Sequence, residues 1–361
     1  MKRIALLLLL LSATTAWAAQ IIRYVDPDAS GEVNNGTTWD EAYLSLEAWN
    51  NGEATDLVAA GNYHTVYTRA SAGTADTAFG GISGWTTGAA NYIEIIGTDF
   101  PADGVYDTSA YRIERTVSSG SASCFAIAES YVRLHRLQGK VINSGAGNTV
   151  VFTIGAYKTE ANDIRIDSCI AVGEMTGTGD CSGFTTAQID KAGININISN
   201  CIAYGFDDGD DSGQGFYSFR PSATSVFNVY NCTAYGCRYG FRRYLQGAMT
   251  ATNCVAGNCT DDFNGTITIA NCCSDDGDGA NPQGPLGADW DNEFTDKDNG
   301  AFSLLVGGNC VGNGTDDPGS GLYSDDIIGT VRTSTWDIGA FEYGAPAATG
   351  TSNWWWRRRH N

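Results

Sequence analysis

The sequence predicts an all-β chain whose short parallel strands stack into a solenoid, and three observations carry that reading. Five segments repeat one pattern: IRIDSCIAVG (164–173), INISNCIAYG (196–205), FNVYNCTAYG (227–236), MTATNCVAGN (249–258) and ITIANCCSDD (267–276). In each, apolar or small residues alternate with polar ones, a polar residue precedes a cysteine, and a small residue follows two positions later. The cysteines Cys169, Cys201, Cys232, Cys254 and Cys272 are separated by 32, 31, 22 and 18 residues. Those intervals are too uneven for a helical array of fixed unit length, and they suit stacked strands joined by loops that vary. A Gly-Phe or Asp-Phe pair also precedes most of these strands, at Gly183 and Phe184, Gly215 and Phe216, Gly240 and Phe241, and Asp262 and Phe263, so each turn holds at least two strands.

Alternation at Ile164 and Ile166, at Ile194, Ile196 and Ile198, at Phe227 and Val229, and at Ile267 and Ile269 turns one side of each strand inward. Equivalent residues of successive turns then stack about 4.8 Å apart. The pattern resembles the right-handed parallel β-helix of the pectate-lyase type, whose repeat joins a glycine and an apolar residue, a loop, an I-x-I strand and an Asn-containing turn. The resemblance implies a single-stranded coil in which the five cysteines hold the inward turn position where that family often stacks asparagines. Ala171, Ala203, Ala234, Ala256 and Ser274 follow on the inside. Weaker turns at 124–141, where Leu137 takes the ladder position, and at 91–97 extend the coil to about eight rungs, on the order of 40 Å. One elongated domain over 61–285 fits better than several globules.

Residues 1–18 have the three zones of a cleavable secretory signal: Lys2 and Arg3, an apolar run from Ile4 to Leu11, and Ala16-Trp17-Ala18. The run is too short to span a bilayer, and no other stretch of about 18 apolar residues exists. The expected location is therefore extracellular or on the cell surface. Residues 19–60 read as a strand and a capping helix. Thr38 is placed to cap the helix suggested by WDEAYLSLEAW, with Asp40 and Glu41 in its first turn, where they complement the helix dipole. Ala42, Leu44, Leu46, Ala48 and Trp49 would then cover the open first rung, an otherwise unpaired sheet edge.

Residues 286–343 read as a closing segment. Asp326-Ile327-Ile328-Gly329-Thr330-Val331-Arg332 and Asp337-Ile338-Gly339-Ala340-Phe341-Glu342-Tyr343 are similar to the ending of the choice-of-anchor Q type of bacterial β-helix proteins. The YV, turn, Trp and short helix of 23–52 also look like the leader of many secreted β-helix proteins. Together they imply an irregular closure of the coil and a secreted or surface location, and they leave activity open because β-helices host lyases, hydrolases, adhesins and viral fibres alike. The tail 344–361 is a flexible Gly/Ala/Ser/Thr linker followed by Trp354 to Trp356 and Arg357 to Arg359, readable as a surface-attachment signal or as a disordered basic end.

Export would turn cysteines into a disulfide framework, but five thiols stacked in parallel point the same way and are poorly disposed for the disulfide torsion. Cys237 and Cys259, each five residues after a ladder cysteine, are the best-placed pair, expected on adjacent rungs in a loop. Cys124, Cys181, Cys273 and Cys310 stay unassigned. A zinc reading is disfavoured: there is no CxxC pair, and the three histidines lie at unrelated places.

With 41 Asp and Glu against 21 Lys and Arg, the formal charge is −20, which repels nucleic acid and polyanionic sugars unless cations intervene and argues against nucleic acid as a partner. The densest acidic loop holds Asp207, Asp208, Asp210 and Asp211, hard-oxygen ligands of the kind Ca²⁺ takes, and Asp275, Asp276 and Asp278 repeat the theme more weakly. Solvation alone also explains such loops. The ladder register sets Asp207 beside Arg238 on the next rung, near Arg220, Tyr239, Arg242, Arg243 and Tyr244, while Tyr204 and Tyr235 share an outward position one rung apart. Tyrosines suit the apolar faces of sugar rings and arginine forks suit carboxylates. The bland alternative is that the tyrosines shield strand edges and the arginines pair with Asp207, Asp208 and Asp211.

The resemblance also implies how catalysis would run. Lyases of this fold use Ca²⁺ to acidify a uronate α-proton and an arginine or lysine as base, so the cast would be the Asp207 to Asp211 loop with Arg238 or Arg242. No complete catalytic set is visible. The leading expectation is a solenoid that recognises polysaccharide or another surface without chemistry; the alternatives are a Ca²⁺-dependent polysaccharide lyase and a phage-type fibre or spike.

Overall fold

The computed structural model describes residues 18–155, 163–186, 193–207, 209, 212–219, 223–279, 290–333 and 335–344. Residues 1–17 of the expected secretory signal 1–18, and the Trp/Arg tail, lie outside the described residues. The chain is a right-handed parallel β-helix built from three parallel sheets of nine, six and seven strands. Each full turn therefore holds three strands rather than the two the Gly-Phe pairs guarantee. Asp163–Asp167, Ile170–Met175 and Cys181–Thr186 form one such turn, and Asn195–Ser199 begins the next. The nine-stranded sheet runs from Ala19–Val25 to Thr268–Ala270, one rung more than the repeats suggest, because Ala19–Val25 pairs in parallel with Asn62–Thr68.

Register is set by inward apolar residues. Ile164, Ile196, Phe227 and Met249 align on successive rungs, as do Ile166, Ile198, Val229 and Ala251, and all are buried. In the seven-stranded sheet Phe152, Phe184, Phe216, Phe241 and Phe263 stack face to face at 4.9–5.0 Å, within 9° of parallel. The glycine before Phe184, Phe216 and Phe241 leaves room for the alanine row: a Cβ on Gly240 would meet Ala256 Cβ at 2.9 Å and the Asp262 carbonyl at 2.8 Å. At the last rung Asp262 takes the glycine's place, buried beneath a loop whose Asp275 amide donates to its carboxylate at 2.8 Å.

The five ladder cysteines are fully buried and collinear by register, and Leu137 holds the equivalent position one rung earlier. Each sulfur is hydrogen-bonded: Cys201 Sγ accepts from the Cys169 amide at 3.3 Å and donates to the Ser199 carbonyl at 3.1 Å, and Cys232 Sγ accepts from the Cys201 amide and donates to Tyr230. Asparagines do stack here as well, one residue earlier. Asn200, Asn231, Asn253 and Asn271 adopt left-handed φ of 47–55°, which Asn tolerates better than other non-glycine residues and which turns the chain from the nine-stranded into the six-stranded sheet. Cys232→Ser is expected to cost about 1–3 kcal/mol, because a more polar group enters a site whose partners are spaced for sulfur. Denaturant midpoints check this. Thiol titration should find the five ladder sulfurs unreactive until the chain unfolds; immediate reaction of all five would contradict the ladder.

Three expectations need correction. The leader helix is Leu46–Glu53, capped by Ser45, whose side chain accepts from the Ala48 amide. Thr38 accepts from the Glu41 amide, but residues 32–41 run through bends and a turn, and Tyr43 then pairs with Tyr24 and Asp26 beside the first strand. Leu46 and Trp49 still bury against the first strand of the seven-stranded sheet, Gly80–Ile82, and Leu44 is exposed. Cys237 and Cys259 do occupy adjacent rungs, yet inside the coil rather than in a loop. They donate in parallel to the carbonyls of Tyr235 and Gly257 as free thiols, a short second ladder.

The third correction concerns 290–343, which does not close the end of the coil. It runs back along the outer face of the six-stranded sheet, where Ile170, Ile202 and Val255 pack against Trp290, Phe302, Ile327, Ile338 and Phe341. The Asn row fastens it: Asn200 Nδ2 donates to the Asp325 carbonyl, Asn231 Nδ2 to Asp337, and Asn253 Nδ2 to Thr315 at 2.8–2.9 Å. Gly339, at φ +99°, sits so close to the coil that a Cβ would meet Val255 Cγ2 at 3.0 Å.

Candidate ligand-binding face

The outward positions of the seven-stranded sheet bring part of the sequence-predicted patch together. Tyr217 aligns with Arg242 on the next rung. The Arg242 guanidinium lies 4.2 Å from the ring centre of Tyr239, 5.3 Å from Tyr217 and 5.6 Å from Tyr244, so three π faces surround one cation. Phe219 stacks on Tyr244 at 5.8 Å, and Arg238 stands 5.7 Å from Tyr239. Arg243 is spent on the turn, donating to the carbonyls of Gly247 and Leu245. Among the described residues Arg242 has no carboxylate partner, and its Nε finds no hydrogen-bond acceptor. Tyr244 and Leu245 are about half exposed, at 48% and 49%. Tyr217 and Phe219 lack a repeat signature and were not singled out by the sequence; only the register with Arg242 reveals them.

Tyr204 and Tyr235 align one rung apart as expected, but on the six-stranded sheet, under the returning C-terminal segment. Their rings pack 5.5 Å and 5.3 Å from Phe302, and Tyr235 meets Trp290 and Phe294 edge-on. Burial pushes the Tyr204 phenol up to about 12. They are therefore separated from the exposed patch, covered by a segment whose path the ladder could not disclose.

Of the acidic loop, Asp208, Asp210 and Asp211 lie outside the described residues, as does Arg220. Asp207 is exposed and accepts from the Gly209 amide, an ordinary turn contact. The Arg238 amide bonds the Phe206 carbonyl, which puts Arg238 on the rung next to Asp207 as the register predicts.

A second acidic group adjoins the patch on its other side. Asp261 aligns with Tyr239 one rung on, and carboxylate oxygens of Asp261, Asp276 and Asp278 all lie within 4.8 Å of one another. The loop carrying them has structural work: Asp275, Asp276 and Asp278 accept from the amides of Asn258, Asp262 and Phe263, occupying donors that a further rung would have used. Ser274 Oγ faces Asp276 at 2.8 Å and Asp278 at 3.0 Å with a single proton to give. Burial, then the charge and hydrogen bond of Asp276, push Asp278 up to about 7. Burial also pushes Asp262 up to about 8. Three hard oxygens are available to a cation here, fewer than the six to eight ligands Ca²⁺ takes. No family model and no curated protein matches this chain.

Proposed function

We propose that the chain is a secreted or cell-surface β-solenoid of the choice-of-anchor Q type that binds a carboxylate-bearing polysaccharide across the Tyr217, Tyr239, Arg242 and Tyr244 face. The observation that carries this reading is Arg242. A guanidinium framed by three aromatic rings, with no carboxylate partner among the described residues, offers a cation and flat apolar surfaces within one sugar's reach. Successive rungs about 5 Å apart repeat such contacts along an extended chain. In a molecule of charge −20 the local arginines Arg238 and Arg242 are what would let a polyanion approach.

The test is retention on an immobilised polyuronate against a neutral glucan. Binding should favour the polyuronate, weaken with salt, and fall by roughly tenfold or more in Arg242→Ala, the loss of one charge-assisted contact. Tyr239→Ala should weaken it as well, with melting temperatures close to the parent. Parental affinity in both variants would remove this face as the site.

A Ca²⁺-dependent lyase is the second reading, favoured by Asp261, Asp276 and Asp278 lying one rung from Tyr239. Those carboxylates would hold the ion, which would acidify the uronate α-proton, with Arg242 or Arg238 as base. Ultraviolet absorbance of unsaturated uronate products, dependent on Ca²⁺ and lost in Arg242→Ala, would establish it; binding without product leaves recognition alone.

A further inference from the structure

Nine of the eleven cysteines donate their S–H to a backbone carbonyl, as Cys124 does to Lys140 and Cys181 to Gly179. Among the described residues Cys273 and Cys310 do not. Their sulfurs face each other at 2.8 Å, well inside the roughly 3.5–4.0 Å at which even carbon atoms rest against one another. Both are fully buried. We propose that Cys273 and Cys310 form a disulfide that fastens the returning C-terminal segment to the last rung of the coil.

The approach is imposed from both sides. The Cys273 amide donates to the Cys254 carbonyl at 2.9 Å, continuing the rung register. The Cys310 amide donates to Glu293 Oε1 at 2.6 Å, and its carbonyl accepts from Ile338 at 2.9 Å. The two sulfurs thus come from different layers, coil and returning segment, and meet head-on instead of stacking in parallel like the ladder thiols. The bond would close a loop spanning 37 residues, a length at which a cross-link restricts the unfolded chain substantially.

Closure needs a disulfide oxidant, for which oxidised glutathione serves. One cysteine thiolate attacks a glutathione sulfur and expels the first glutathione thiolate. The second cysteine thiolate then attacks the mixed disulfide and expels the other. Two electrons pass to the oxidant, and the two cysteine protons end on two glutathione thiols. Because burial raises the Cys310 thiol well above its ordinary range, exchange belongs to folding, before the pair is enclosed.

The full chain, reduced and unfolded, is refolded with oxidised glutathione, alkylated in denaturant without reduction, and digested. The expected result is one linked peptide pair containing Cys273 and Cys310, two hydrogens lighter than its free halves, with the ladder cysteines alkylated. Alkylation of both Cys273 and Cys310, or their linkage to other partners, overturns the proposal. A second readout is the melting temperature of the oxidised protein, which dithiothreitol should lower in the parent and leave unchanged in Cys310→Ala. An equal response in both also overturns it.

Discussion

Phe216→Ala is expected to destabilise the coil by about 3–5 kcal/mol, the range for removing a fully buried aromatic ring. Phe216 is stacked on both faces, by Phe184 at 5.0 Å and Phe241 at 4.9 Å, each within 5° of parallel, so its loss opens a cavity and ends two ring contacts at once. In a solenoid each rung is supported by its neighbours, and a defect in the middle uncouples the two halves. Phe263, at the end of the same row, is stacked on one face only among the described residues. Phe263→Ala should therefore cost less. Urea midpoints of the two variants give the comparison, and a larger loss at Phe263 would show that the Phe row is not what couples the rungs.

The row was legible because it repeats. Gly-Phe pairs, I-x-I strands and the cysteines recur with a constant local pattern, and stacking at sheet spacing forces equivalent residues into line whatever the loops do. Register then located Arg238 beside Asp207 correctly, and Ala171, Ala203 and Ala234 inside the core. What stayed hidden was everything decided by a segment outside the repeat. Tyr204 and Tyr235 occupy outward positions by register, so nothing in their own surroundings distinguishes them from exposed tyrosines; the 290–343 segment covers them from a distance in sequence. Likewise the leader helix starts at Leu46 because Tyr43 is held by backbone pairing to Tyr24, a tertiary contact that overrides the local cap at Thr38. Asp261 and Asp262 were visible only as an exception to the Gly-Phe pattern, and their meaning depends on being the last rung. The Arg242 cluster lies between these cases: its arginines and tyrosines stand out in an acidic chain, while Tyr217 needs three-dimensional register to join them.

Arg332 tests how the returning segment is held, and with it which face of the coil stays open. Its side chain is fully buried, with Nη2 donating to Asn200 Oδ1 at 2.9 Å and to the Gly339 carbonyl at 3.0 Å, and Nη1 to Glu342 at 3.2 Å. The two acidic motifs converge on it. Asp326 accepts from the Thr330 and Glu342 amides, Asp337 from Gly312 and Tyr343, and Glu342 from Asp337. Burial pushes Asp326 up to about 6, and the Arg332 charge opposes that rise. Arg332→Met keeps much of the volume and removes the cation, leaving Glu342 and Asn200 without their partner in a buried site. A loss of about 3–5 kcal/mol is expected for breaking such a pair, enough to release the segment while the Phe and Cys rows keep the coil folded. Arg332→Lys should recover only part of it, since an ammonium cannot span Asn200, Gly339 and Glu342 together. Limited proteolysis separates the outcomes. Cleavage confined to 290–343 with a protected coil is the expected result, and it would lay bare Tyr204 and Tyr235 as a second aromatic face. Parental resistance in Arg332→Met would mean that the apolar contacts of Ile327, Ile338 and Phe341 hold the segment without the arginine.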